Sequence, residues 1–95
     1  MQLLTKEIRE KLPELGDTEG ECPLAQVKFF DPTGSWTWYG IEFDGDDLFY
    51  GLVHGDFDEL GYFTLGDLAS YVGPFGLGIE RDRHFTPTCI EELRR

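Results

Sequence analysis

The sequence predicts an α+β domain built as a four-stranded antiparallel meander sheet with two or three short helices on one face. Three observations carry this. Residues 29–65, FFDPTGSWTWYGIEFDGDDLFYGLVHGDFDELGYFTL, set aromatic, strand-like runs against turns filled with aspartate. Helix-spaced apolar residues with capping signals flank that stretch on both sides. The 95 residues, 40% of them hydrophobic and 15% aromatic, supply one core and no more, so residues 1–95 read as a single domain.

Taken in order, Thr5 is placed to cap a first helix whose Leu4, Ile8 and Leu12 form one stripe, and Pro13 disfavours helical geometry at Leu12 and ends it. The polar, acidic ELGDTEGECP that follows reads as a connecting loop. Ala25–Phe30 is the first predicted strand, and Asp31-Pro32-Thr33-Gly34 supplies turn chemistry. Trp36–Phe43 is the second strand. Alternation puts Trp36 and Trp38 on one face and Thr37, Tyr39 and Ile41 on the other, so both faces need cover. Asp44-Gly45-Asp46-Asp47 turns into Leu48–His54, and Asp56-Phe57-Asp58-Glu59 turns into Leu60–Thr64. A helix over LGDLASYV follows, with Leu65, Leu68 and Val72 as its buried stripe and Thr64 with Asp67 as a capping box; Gly73-Pro74 ends it. Pro74–Gly78 reads as a tight glycine-rich turn and Ile79–Phe85 as extended. Thr88-Cys89-Ile90-Glu91 fits the capping box of a last short helix.

The formal net charge is -11, and Lys28 is the only Lys or Arg between Leu12 and Glu80. Direct nucleic-acid binding, which needs clustered cations against phosphate, is disfavoured, and a basic partner surface is expected instead. Cys22 and Cys89 stand alone, without the spacing of a zinc site or of a disulfide scaffold, which predicts free thiols in a reducing cytoplasm. MQLLTKEIREKL alternates apolar and charged residues, unlike a secretory signal, and no apolar run approaches a membrane span.

The chemistry-bearing residues identify no reaction. His54-Gly55-Asp56 and Arg81-Asp82-Arg83-His84 hold the two histidines, yet neither comes with a nucleophile or an oxyanion site. Asp56-x-Asp58 with Asp67 superficially resembles a calcium loop, but Leu60 falls where an oxygen is required and the segment is strand-like. GPFGLG lacks the Lys and Ser/Thr of a phosphate loop. No catalytic residue, metal or cofactor is predicted.

The blocks LLTKEIREKLP, VKFFDPTGSWTWYG, LFYGLVHG, ELGYFTLGDL and GPFGLGIERDRHFTPT, in that order, resemble the bacterial family catalogued as domain of unknown function 2958, from Leu3 to about Leu93. The resemblance implies a small protein with no established activity or cofactor, encoded on plasmids, phages and other mobile elements near anti-restriction genes. Compared with the family pattern, the Gly16–Pro23 loop is short and the C-terminus stops early.

Together, the charge and the resemblance predict a non-enzymatic, cytoplasmic protein of a mobile element. Its expected role is to bind and inhibit a host nucleic-acid-targeting defence protein, a CRISPR or restriction effector, by imitating DNA. Glu42, Asp44, Asp46, Asp47, Asp56, Asp58 and Glu59 would present one continuous anionic surface, with Trp36, Trp38 or Tyr39 as the apolar anchor. The alternative is an accessory interaction domain of a replication or conjugation complex that docks its partner on an aromatic sheet face.

Overall fold

Aromatic and β-branched residues prefer a pleated surface covered on both sides, and the chain satisfies that preference with one sheet held between short helices. The computed structural model describes residues 2–18 and 22–94. Its elements in chain order are α1 (Lys6–Lys11), β1 (Leu24–Ala25), β2 (Val27–Phe30), β3 (Thr37–Phe43), β4 (Leu48–His54), β5 (Asp58–Thr64), α2 (Leu65–Ser70), a 3₁₀ turn (Pro74–Gly76), β6 (Glu80–Arg81), β7 (Thr88–Cys89) and α3 (Ile90–Leu93). The main sheet is antiparallel in the order β5-β4-β3-β2-β6, and β1 pairs with β7 in a separate ribbon. The expected meander is β2 to β5. The fifth strand is the two-residue β6, which pairs Arg81 with Phe29 and Glu80 with Phe30. It falls in the Ile79–Phe85 segment expected to be extended, but it is too short and too charged to signal that it joins the sheet.

The centre of the sheet is irregular for a reason visible in the register. Gly40 lies opposite Gly51 and Glu42 opposite Tyr50, so Ile41 is an extra residue on β3. This bulge resets the alternation: Ile41 and Glu42 both turn to the Tyr39 side, and Phe43 returns to the Trp38 side. The close backbone approach requires glycine, since a Cβ at Gly51 would stand 1.8 Å from the Tyr39 carbonyl oxygen.

One face packs Val27, Phe29, Phe43 and Phe49 against Leu3, Leu4, Leu12, Leu68 and Ile79, beneath α1 and α2. The Phe49 ring stacks on Phe63 at 5.1 Å and meets Phe29 edge-on at 5.6 Å. The other face packs Tyr39, Ile41 and Leu52 against Ala25 and Ile90, with Phe85 and Leu93 at the margin. The helices are therefore not gathered on one face, because α3 covers the side opposite α1 and α2. Both faces of β3 and β4 are apolar, and leaving either uncovered would expose several large side chains at about 1.5–3 kcal/mol each.

The caps mostly follow the sequence. Thr5 Oγ1 accepts from the Ile8 amide at 3.2 Å, and Thr64 Oγ1 accepts from the Asp67 amide at 3.1 Å. At α3 the capping residue is Cys89, with no side-chain cap, and the Thr88 hydroxyl donates instead to the Thr86 carbonyl at 2.7 Å. Helix α2 stops at Ser70, so Val72 leaves the helical stripe and is 71% exposed.

Cys22 and Cys89 form a disulfide, their Cα atoms 5.7 Å apart and 67 positions apart in sequence. The expectation of two free thiols is overturned. Neither cysteine has a local spacing signal, and only the pairing of β1 with β7 brings them together. Of the Gly16–Pro23 loop, residues 19–21 lie outside the described residues.

Candidate functional site

The predicted acidic surface is divided by the topology of the sheet. Successive turns of a meander fall at alternate ends, so Asp44, Asp46 and Asp47 lie at one end of β4 while Asp56, Asp58 and Glu59 lie at the other. Seven strand residues separate the two groups by about 20 Å. They do not make one continuous surface.

Several of these carboxylates are also engaged within the fold. Glu42 is 5% exposed; it accepts from the Gly16 amide at 2.8 Å, the Thr18 amide at 3.0 Å and the Thr18 hydroxyl, and so anchors the loop after α1. Burial pushes its pKa up, but the Thr18 hydroxyl and the two amides outweigh burial and hold it below the usual 4.5. Glu42 is thus removed from the partner-facing set. Asp44 is exposed, and the Asp46 and Asp47 amides, followed by that of Leu48, depress its pKa below 3.8 by donating to Oδ1. Asp47 Oδ1 accepts from the Gly66 amide at 2.7 Å, joining the turn to α2. Arg9 donates to the Gly45 carbonyl at 2.8 Å and lies over the Phe43 ring, placing a cation within this acidic turn. At the far end, Asp58 faces the buried His54 at 3.6 Å, while Asp56 and Glu59 are exposed.

The aromatic trio divides as well. Trp36 and Trp38 lie together, ring centroids 6.1 Å apart and tilted by 37°. Tyr39 faces the opposite core, where it is buried against His54 at 5.1 Å and Phe85 at 5.7 Å. The register of β3 dictates this, and Tyr39 leaves the set.

The two tryptophans belong to a larger arrangement that the sequence reading missed. A cavity of about 340 Å³ is lined by Trp36, Trp38, Leu68, Tyr71 and Ile79 together with two carboxylates, Asp31 and Asp67. Asp31 closes the β2–β3 turn: its amide donates to the Trp36 carbonyl at 3.1 Å, and its Oδ1 accepts from the Thr33 amide at 3.0 Å. Its Oδ2 accepts from the Tyr71 hydroxyl at 3.2 Å. Desolvation first, then the charge of Asp31 and this hydrogen bond, raise the Tyr71 pKa above 10.0. The Trp36 ring lies against Gly55, where a Cβ would come within 2.6 Å of it.

Beside this cavity the chain projects an apolar loop. Gly73 sits against Tyr71, and its amide donates to the Leu77 carbonyl at 2.7 Å, closing residues 73–77. Phe75, at the tip, has a left-handed φ of 62° and is 94% exposed. A bulky residue in that conformation is uncommon and is a pointer to function. Tyr71, Val72 and Leu77 in the same segment, and Trp36 on the cavity it shares with Tyr71, are also exposed. The GPFG sequence signals a turn; it carries no sign that the ring between the glycines points outward.

Of the two histidines, His54 is buried beneath Tyr39, and His84 is exposed, its amide held by Asp82 at 2.9 Å. Among the described residues, no group of three or more His, Cys, Asp or Glu is placed to hold a metal ion, and no helix is long and apolar enough to cross a membrane.

Residues 3–90 match the family model described as Protein of unknown function (DUF2958). The chain belongs to this family. No curated protein and no solved structure matches it. The description of DUF2958 names no reaction or ligand, so roles for residues of this DUF2958 chain rest on the geometry above.

Proposed function

We propose that the protein is a non-enzymatic interaction domain that docks a basic protein partner on the aromatic end of its sheet. The observation that carries this reading is the exposed apolar group Trp36, Tyr71, Val72, Phe75 and Leu77: Trp36 and Tyr71 share the cavity with Asp31 and Asp67, and Val72, Phe75 and Leu77 follow Tyr71 in the adjoining segment. Patches of exposed aromatic side chains with a polar rim are characteristic of protein-binding surfaces. With a net charge of -11, the charge complement of such a patch is a basic surface. Nucleic-acid-binding proteins carry surfaces of that kind, which keeps them, host defence effectors included, within the partner class.

Imitation of nucleic acid is the second reading, favoured by the exposed Asp44 and Asp46 and the neighbouring Asp47 in one turn. It draws on one end of the sheet only, and Arg9 sits in that end. The proposed setting is the cytoplasm. There the Cys22–Cys89 pair is open to reduction, because Cys22 lies at the exposed surface.

The two readings separate by affinity capture from the native host. Val72→Ser with Phe75→Ser should abolish recovery of the partner, whereas Asp44→Asn, Asp46→Asn and Asp47→Asn together should leave it in place at physiological salt. The reverse pattern would overturn the docking reading in favour of imitation.

A further inference from the structure

We infer that the cavity between Trp36, Trp38 and Tyr71 receives the guanidinium of an arginine side chain from the partner, with Asp31 and Asp67 as its counter-charges; this rests on the docking reading above. The lining residues are three aromatics, Leu68, Ile79 and the two aspartates, with no Lys or Arg among them. The cavity therefore combines π-faces, negative charge and apolar walls without any cation of its own.

Arginine fits that chemistry better than lysine. Its planar guanidinium stacks on aromatic faces and donates through a fork that matches carboxylate oxygens, whereas an ammonium is a strongly hydrated point charge. Asp31 is held for the task on both oxygens. Thr33 fixes Oδ1, and the Tyr71 hydroxyl donates to Oδ2, which retains a lone pair for a second donor. Asp67 takes part in the α2 cap through its backbone amide, which leaves its carboxylate clear of that bond. The tryptophan centroids at 6.1 Å are too close for a cation to slide between them, since two van der Waals contacts need about 7–8 Å. The guanidinium would lie over an outer ring face, toward Tyr71. The larger cavity over Leu3, Leu4 and Ile79 is lined by both Arg9 and Glu80 and has no such bias.

The protein has two tryptophans, and both line this cavity, so intrinsic fluorescence reads its occupancy directly. The probe is a capped Gly-Gly-Arg-Gly-Gly peptide, titrated at about 0.15 M salt to screen long-range attraction, beside peptides with lysine or citrulline at the centre. A saturable change is expected with arginine, a weaker one with lysine and none with citrulline. Asp31→Asn and Asp67→Asn should each weaken arginine binding by about tenfold, the loss expected for a charged hydrogen bond. Glu92→Gln changes net charge equally on α3, across the sheet from the cavity, and should leave binding unchanged. Thermal melts of each variant separate lost binding from lost fold, and Asp67→Asn disturbs no cap. Equal titration by citrulline, or equal weakening by Glu92→Gln and Asp67→Asn, would overturn the inference. Either outcome leaves the docking reading standing, because that reading is tested by partner loss in the Val72→Ser, Phe75→Ser variant, whose cavity is intact.

Discussion

Replacing Glu42 by alanine tests whether the most buried of the predicted partner-facing acids is instead a fastener for the chain. Its carboxylate takes three hydrogen bonds from Gly16 and Thr18. Bonds to a charged acceptor are worth about 1.5–3 kcal/mol each, so the gross interaction exceeds 4 kcal/mol. Water reaches part of the loop and recovers some of this once the loop detaches. The net loss should be about 2–4 kcal/mol, a fall in Tm of about 10–20 °C for a domain of this size. Glu42→Gln keeps one acceptor oxygen but turns an amide toward a donor, and should fall between wild type and alanine. The pH dependence has a defined sign. The folded carboxyl titrates below 4.5, so its contribution is complete above the unfolded value and is lost as pH falls through the lower, folded one. The glutamine variant should show a flatter acid limb. Urea denaturation gives the free energy, and amide exchange at Gly16 and Thr18 locates it. A Glu42→Ala protein within about 0.5 kcal/mol of wild type, the range of an ordinary surface change, with unaltered exchange at those amides, would refute the anchoring argument.

Two further predictions bear on the frame of the fold. Reduction of the Cys22–Cys89 disulfide reopens a loop of 67 positions and should cost about 2–4 kcal/mol; melts with and without dithiothreitol, checked against Cys22→Ser with Cys89→Ser, measure it, and identical melts would mean that the pair contributes nothing. Gly51→Ala forces a Cβ to 1.8 Å from the Tyr39 oxygen and should cost more than about 4 kcal/mol. Gly61→Ala on the neighbouring strand meets nothing within 4 Å and should be far milder in the same denaturation assay.

The parts of this fold that sequence reveals are those written locally. The Thr5 and Thr64 caps, the Pro13 stop and the Asp-Gly turn at 44–47 each depend on a few adjacent residues, and each has its expected place. The meander itself is legible because its strands are consecutive. The missed features all depend on residues far apart in the chain: β6 against β2, α3 on the second face, Cys22 with Cys89, and Asp31 with Tyr71, 40 positions away. The divided acidic surface was an error of a different kind, because the turn positions were read correctly. Alternation of turns along a meander follows from the strand order alone, and it places Asp44 and Asp56 at opposite ends.

The same geometry leaves exposed rings at the end of the sheet shared by the β2–β3 and β4–β5 turns. A chain of 95 residues that covers both faces of its sheet spends its three short helices on the central strands. Helix α2 ends at Ser70, and the chain crosses the end of the sheet before β6 begins at Glu80. Tyr71, Val72, Phe75 and Leu77 belong to this crossing, and Phe75 keeps a left-handed backbone that turns its ring to water. Burying such a ring would gain about 1.5–3 kcal/mol, so its exposure is a standing cost to the isolated domain. Apolar ends of this kind invite self-association, which a net charge of -11 opposes by repulsion between copies. That repulsion becomes attraction when the approaching surface is basic. On the proposed docking reading, the charge would act through selection of the partner, wherever on the molecule its members lie, while the rings and the Asp31–Tyr71 pair would supply the place where that partner is held.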